Sequence, residues 1–207
     1  MIYINAGHHL NDSGHVESDG TKENEIVMKI RDALTPMLTN YDVDCVPDTL
    51  DLKWSIQYVN KKATKNDFAI DIHLNANNNK QVNGVEAYYV TDPKYATVFS
   101  RSVANALNLK NRGALPDSIT SVGSLGWLRY LKCPSVLIEV CYLTNDHDRT
   151  SLLQGIENAA IGIKNGIDEL FQLQKVEETT LTTFQLMLLV IKVKLALIQE
   201  LVAKLFK

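Results

Sequence analysis

Short apolar runs that end in polar residues alternate with stretches of helical spacing along the first 173 residues. Met1 to Ala6 is apolar apart from Asn5 and stops at Gly7-His8-His9. Phe68 to Leu74 is nearly apolar and rich in isoleucine, and gives way at His73 to Asn75, Asn77, Asn78 and Asn79. Runs this short and continuous predict strands buried on both faces, as in a parallel sheet covered by helices. Val43 to Val46, closed by Pro47, Val85 to Val90 after Gly84, and Ser135 to Val140 after Pro134 predict three more. Apolar positions at Ile26, Ile30, Leu34 and Leu38 predict a helix that Pro36 kinks or shortens. The same spacing predicts helices over Leu52 to Lys65, Lys94 to Leu107 and Leu152 to Leu173, whereas Asn111 to Gly126, with Gly113, Pro116 and Gly123, reads as loop. Strands alternating with helices predict an α/β fold, a mostly parallel twisted sheet flanked by helices, with right-handed crossovers.

The pattern changes near the C-terminus, which divides the chain into a domain over residues 1–173, a linker over 174–183 and an amphipathic helix over 184–207. The linker is polar and Thr-rich. In the last segment Phe184, Leu188, Ile191, Leu195, Ile198, Val202 and Leu205 follow one another in steps of four and three, a heptad seam. A second apolar stripe runs through Leu186, Val190, Val193, Leu197 and Leu201, with Gln185, Lys192 and Gln199 on a polar back. Two stripes are more than one helix packed on its own domain needs. They predict a homo-oligomer formed through residues 184–207; a cationic helix lying on a membrane surface and a helix folded back on its own domain are the other readings.

Composition narrows the classes. With 45% hydrophobic and 22% charged residues and a net charge of -3, the chain has no cationic excess to recruit nucleic acid. Cys45, Cys133 and Cys141 are odd in number and lack metal-finger spacing, which argues against a disulfide framework. Met1-Ile2-Tyr3-Ile4 enters a strand without a charged leader region, so the expectation is synthesis in the cytoplasm without a signal peptide. No apolar run approaches the ~20 residues of a membrane span.

The candidate chemistry lies where strands end. His8 and His73 fall where open α/β sheets place their ligands, although a lone histidine is more often an ordinary hydrogen-bonded residue. Glu139, inside Val136-Leu137-Ile138-Glu139-Val140, must be paired or bound to a cation unless its strand is an edge that turns it to water. Glu23 and Glu25 precede Ile26 at a helix start, where a carboxylate suits the helix dipole with no further role. Two histidines and a glutamate form a known catalytic zinc set with one position left for water, and a further carboxylate near that water can act as general base. The chain offers His8, Glu23 and His73 as ligands and Glu139 as base.

Four stretches together resemble the zinc-dependent N-acetylmuramoyl-L-alanine amidases of autolysins and phage endolysins. They are Ile4-Asn5-Ala6-Gly7-His8, Glu23 ahead of Ile26-Val27-Met28-Lys29-Ile30, Asp71-Ile72-His73-Leu74-Asn75-Ala76, and Pro134-Ser135-Val136-Leu137-Ile138-Glu139-Val140-Cys141-Tyr142-Leu143-Thr144-Asn145. Order and spacing agree from Met1 to about Leu173, including Asn111-Arg112-Gly113 and the Leu125 to Arg129 stretch. The resemblance implies one zinc ion per chain, held by His8, Glu23 and His73, with Glu139 as the catalytic carboxylate. Glu25 competes for the second ligand position; the apolar positions after Glu23 favour Glu23. Asn75 and Asn77 either bind the stem peptide or shape the turn. His9 departs from the small residue usual after the first ligand, and His15 and His147 match no family role and read as surface residues.

The implied function is peptidoglycan hydrolysis at the amide between N-acetylmuramic acid and L-alanine, across a shallow groove at the strand ends. The expected setting is a phage endolysin that acts on the cell wall after release. A zinc peptidase cutting within the stem peptide and an inactive wall-binding module are the alternatives.

Overall fold

The computed structural model describes the backbone of residues 1–205, with side chains for residues 1–172, 182–188, 190–192 and 195. In chain order the elements are β1 (Ile2–Ala6), α1 (Glu23–Leu34), β2 (Val43–Cys45), α2 (Leu52–Lys62), β3 (Phe68–Asn75), β4 (Val85–Tyr89), α3 (Lys94–Leu107), β5 (Asn111–Pro116), α4 (Gly126–Tyr130), β6 (Ser135–Tyr142), α5 (Asp146–Gln154) and α6 (Ile156–Leu205). The strands form one sheet in the order β2-β1-β3-β6-β4-β5. Every neighbouring pair is parallel except β4 and β6, which run antiparallel. The expected mostly parallel α/β fold is therefore present.

Alternation along the strands gives the two faces different tasks. Ile2, Ile4, Phe68, Ile70, Ile72, Val136 and Ile138 are fully buried on one face. There α1 lies against β1 and β3, and α3 against β4, β5 and β6, with the rings of Phe68 and Phe99 stacked at 6.0 Å. On the opposite face Tyr3 and Ala69 join Val46, Ile56, Val59, Trp127 and Cys133 in a second cluster beneath α2 and α4. Further along that second face the strands carry Asn5, Asp71, Glu86 and Glu139 instead of aliphatic residues. Polar groups there are affordable only with partners, and that is where the chemistry collects.

Three segments depart from expectation. Residues 111–116, read as loop, form an edge strand; Pro116 ends it and Gly113 takes φ +91°, both tolerable where only one side is paired. The helix expected over Leu152–Leu173 is two, divided at Gly155. Residues 174–183, expected as a linker, lie within α6, since nothing beyond Gly166 breaks the helix and threonine costs a helix only tenths of a kcal/mol. Pro36 does end α1, in a 3-10 turn over Thr35–Met37.

The chain divides into two compact units, Met1–Ile167 and the segment from Asp168 onward. In the second unit Phe184, Leu186, Leu188, Val190, Ile191 and Leu195 are exposed. The side chains of Val193, Leu197, Ile198, Leu201, Val202 and Leu205, which complete the two expected stripes, lie outside the described residues. No helix among the described residues is long and apolar enough to cross a membrane.

Within the first unit α6 approaches α3 through glycine. A Cβ at Gly162 would lie 2.7 Å from the Cα of Val103, and one at Gly166 would lie 2.7 Å from the Phe99 ring. Gly162→Ala gains about 1 kcal/mol of helix propensity but drives a methyl group into backbone, and overpacking costs about 1–3 kcal/mol. The clash is with an atom that cannot rotate away, so the expected net effect is a lower urea midpoint. A midpoint at or above the original value would contradict this account of the α3–α6 contact.

Candidate metal centre

Three segments converge at the end of β1 and β3. β1 stops at Ala6, and Gly7 continues its pairing by donating to the Ile72 carbonyl at 2.8 Å. A Cβ on Gly7 would fall 2.5 Å from the His73 ring, so the imidazole sits directly over bare backbone. His8 follows with φ +67°, a left-handed conformation that is uncommon outside glycine and costs strain. The two rings meet edge to face with centroids 5.0 Å apart.

Glu23, the first residue of α1 and almost wholly buried, lies between them. Its Oε2 is 3.1 Å from His8 Nε2 and its Oε1 3.1 Å from His73 Nδ1. The same oxygens accept hydrogen bonds from the backbone N–H groups of His15 (3.0 Å) and Leu74 (2.9 Å). Burial opposes ionisation of Glu23, but the hydrogen bonds from His73 and His8 outweigh it and hold the carboxyl well below the usual range. One donor atom from each of His8, Glu23 and His73 lies within 4.8 Å of the others.

The outer nitrogens of both imidazoles are held as well. His8 Nδ1 is 2.9 Å from Asp12 Oδ2, and His73 Nε2 is 3.2 Å from Asp71 Oδ2. Asp71 in turn accepts from Asn5 Nδ2 at 2.7 Å. A carboxylate behind each histidine fixes which nitrogen faces inward and raises its basicity, the usual support of a metal-ligating imidazole. Gly14, at φ +61°, closes the site: a Cβ there would lie 2.5 Å from Glu23 Oε2 and 2.6 Å from the His8 ring. The donor set, two nitrogens and a carboxylate on one small hollow with their outer atoms anchored, fits a divalent metal with one position left open.

Glu139 completes the edge. It is paired in register with His73 across β3 and β6. β6 is an interior strand, so the alternative of an edge residue facing water does not hold. Its Oε2 is buried and has no hydrogen-bond partner among the described residues. Burial pushes the Glu139 carboxyl up to about 8, against the pull of His73 and with the help of the carboxylates Glu23, Glu86 and Asp71. A cavity of about 360 Å³ opens beside these groups, lined by His8, His9 and His73 and walled by Leu52, Leu125 and Trp127.

The remaining expected residues are placed as follows. Glu25 is exposed and bonds Lys22 at 2.9 Å, away from the cluster. Asn75 donates to Glu86 at 3.1 Å and accepts from Ala76 N, while exposed Asn77 accepts from Asn79 N at 2.9 Å. His147 is exposed, but His15 is only half-buried surface: it lies in the loop before α1, with its ring 3.6 Å from Glu17. Asp12, Gly14, Asp71 and Glu86 were not singled out by sequence. Asp71 carried a signal, since it stands two residues before His73 and so on the same strand face.

With this geometry in place, the chain can be compared with known proteins. The sequence profile of the N-acetylmuramoyl-L-alanine amidase family matches residues 2–169. The chain belongs to that family. It is 31% identical over 172 residues to the N-acetylmuramoyl-L-alanine amidase LytC of Bacillus subtilis, an alignment that covers 80% of this chain and 34% of LytC. The chain thus spans about a third of that relative's length. The catalytic domain of CwlV, an N-acetylmuramoyl-L-alanine amidase from Bacillus (Paenibacillus) polymyxa var. colistinus, superposes with a TM-score of 0.71 at 29% identity, covering 83% of this chain and 97% of that one. The catalytic domain of the CD27L endolysin, which targets Clostridia difficile, shares the fold at a TM-score of 0.65 and 23% identity, covering 81% of this chain and 96% of that one.

Asp71 supplies a test of the amidase-family cluster that does not depend on turnover. Asp71→Asn keeps the shape but removes the charge behind His73, and is expected to weaken binding of a divalent metal about 10- to 100-fold. Competition against a chromogenic chelator measures this; unchanged affinity would mean that His73 does not bind metal through its inner nitrogen.

Proposed function

We propose that this chain is a peptidoglycan hydrolase that cleaves the amide between N-acetylmuramic acid and L-alanine, with one zinc ion held by His8, Glu23 and His73. The observation that carries the proposal is the pairing of Glu139, with its buried and unpartnered Oε2, against His73 of the three-donor cluster. Family membership supplies the bond to be cut. When bound in such a set, zinc lowers the pKa of a water ligand toward neutrality and polarises a carbonyl oxygen.

The chain's own groups do the rest. The cavity beside His8 and His73 takes the muramyl side of the scissile bond against Leu52, Leu125 and Trp127. Glu139 Oε2 accepts the proton of the attacking water and returns it to the nitrogen of the departing L-alanine. A carboxyl lifted to about 8 by burial holds a proton readily near neutrality, and a dication in the neighbouring cluster pulls it downward, toward the ionised form that a base requires. Asp12 and Asp71 keep His8 and His73 oriented throughout. Asn75 and Asn77 flank the same edge and are assigned to the peptide side. The expected lytic setting, an endolysin made in the cytoplasm and acting on the wall after release, belongs to the same proposal.

Glu139→Gln removes the base and leaves the three ligands. It is expected to retain one zinc per chain and the native fold while losing at least ~100-fold in kcat. Wild-type activity should disappear with a chelator and return with zinc. Mass spectrometry of digested peptidoglycan should show new free L-alanine amino termini. Cuts within the stem peptide would favour the peptidase alternative, absence of products the binding module, and a Glu139→Gln variant within a few-fold of wild type would remove Glu139 from the mechanism.

The exposed apolar residues of α6 support a second part of the proposal, self-association through residues 184–207. Seven exposed large apolar side chains from Phe184 to Leu195, Met187 among them, are a surface that soluble chains normally cover. Deleting residues 177–207 is expected to leave a folded, active monomer, while the full chain runs as an oligomer by light scattering. A full chain that scatters as a monomer at micromolar concentration would defeat this, and binding to anionic liposomes would then identify a membrane-surface helix.

A further inference from the structure

The row that begins with His73 and Glu139 does not end there. Glu139 on β6 is paired in register with Glu86 on β4, so His73, Glu139 and Glu86 stand side by side on one face, one strand spacing of ~4.8 Å apart. Glu86 is 1% exposed and fully engaged. Its oxygens accept from Tyr88 Oη (2.8 Å), Tyr142 Oη (2.8 Å) and Asn75 Nδ2 (3.1 Å), and from Nε of Arg112. Arg112 comes from β5, at the register shift between Val85 and Glu86, and its guanidinium carbon lies 5.4 Å from the Tyr142 ring centre.

Three neutral donors already serve the Glu86 carboxylate, and Arg112 adds the charge through Nε alone. Its side chain is 31% exposed, and among the described residues neither Nη1 nor Nη2 donates a hydrogen bond. The terminal edge of a guanidinium is a two-pronged donor matched to a carboxylate. Here a buried ion pair and an aromatic ring fix it in place, so little rotamer entropy is lost on binding. Four carboxylates, Glu86, Glu139, Asp71 and Glu23, share this edge with His73. Beyond the histidine cluster, Arg112 offers a fixed, partly exposed cation toward which an anionic substrate group can be drawn.

We propose that Arg112, fixed by Glu86 and Tyr142, is a carboxylate-binding subsite for the peptide on the leaving side of the scissile amide. This rests on the amidase reading above. In a muramyl stem peptide the second residue is linked through its side-chain carboxyl, which leaves its α-carboxyl either free or amidated. Two extended residues span ~7 Å. From midway between His73 and Glu139 to Glu86 is one and a half strand spacings, roughly 7 Å, and Arg112 reaches back to Glu86. A chain laid across the strands with its scissile amide at His73 and Glu139 thus brings that α-carboxyl to the Nη edge. Arg112 then discriminates free acid from amide.

The test uses the full chain loaded with zinc and two soluble muramyl peptides that differ only in an α-carboxylate or α-carboxamide on the second residue. The wild type is expected to favour the carboxylate in kcat/KM by roughly 10- to 100-fold, mostly through KM, as a charge-assisted contact made in both ground and transition states requires. Arg112→Met should bring the ratio of the two substrates close to one, and Arg112→Lys should restore part of it. Equal kcat/KM for the two substrates in the wild type, or a preference that survives in Arg112→Met, overturns the subsite. Failure of the wild type to cleave either substrate overturns the amidase reading and the subsite with it, so the two failures are told apart.

Discussion

The geometry of the His8, Glu23 and His73 cluster depends on one buried carboxylate. Glu23 and the loop before it are locked reciprocally: Glu23 N donates to the His15 carbonyl at 2.9 Å, and His15 N donates to Glu23 Oε2 at 3.0 Å. α1 has no side-chain N-cap, so these loop carbonyls, with Ser13 O accepting from Asn24 N, satisfy its first N–H groups. Leu74 N ties the same carboxylate to β3. One side chain thereby joins the end of β1, the following loop, the start of α1 and the end of β3. The helix terminus adds a favourable dipole to a charge that would otherwise be too costly to bury. Glu17 steadies the loop from its far side, where hydrogen bonds from Ser18 and the ammonium of Lys80 hold its carboxyl down to about 2.

Two glycines beside this carboxylate are spatial requirements. Gly7 gives way to the His73 ring, Gly14 to Glu23 and His8, and neither position has room for a methyl group. His8 itself stays in a strained left-handed conformation because Asp12 and Glu23 grip its ring from both sides. Gly84 acts at a distance: its N–H and that of Tyr142 both donate to the buried Asp148, which fastens the start of β4 beside the end of β6 and so brings Glu86 opposite Glu139.

Much of this was legible in the sequence. The central strands announce themselves as short apolar runs, and Lys94–Leu107 has the predicted helix limits because its inward positions keep strict helical spacing. Glu139 stood out as a charge within an apolar strand, and His8, Glu23 and His73, the ligand set that the family resemblance implied, lie side by side. What stayed hidden was lateral. Glu86 is also a charge within an apolar strand, yet nothing local says that β4 lies antiparallel to β6, and only that pairing gives Glu86 its meaning. β5 was missed because an edge strand tolerates the glycine and proline that mark loops elsewhere. The choice between Glu23 and Glu25 likewise turned on tertiary contacts, since both satisfy a helix start and only one turns inward.

The reversal of β4 has one more implication. In open parallel sheets the working edge lies at the carboxyl ends of the strands, where many groups hang from loops, and such loops lengthen and shorten freely. Here the edge is built by two different routes. His8, Gly14 and Glu23 come from the loop and helix start after β1, whereas His73, Glu139, Glu86 and Arg112 lie inside strands that pair with one another. The first half can be reshaped by insertion. The second has fixed spacing, set by the strand repeat, and can change only by exchanging one side chain for another. Variation among chains of this architecture should accordingly take two forms at one edge: differences in length in the segment after β1, and differences in residue identity at constant length within the strands.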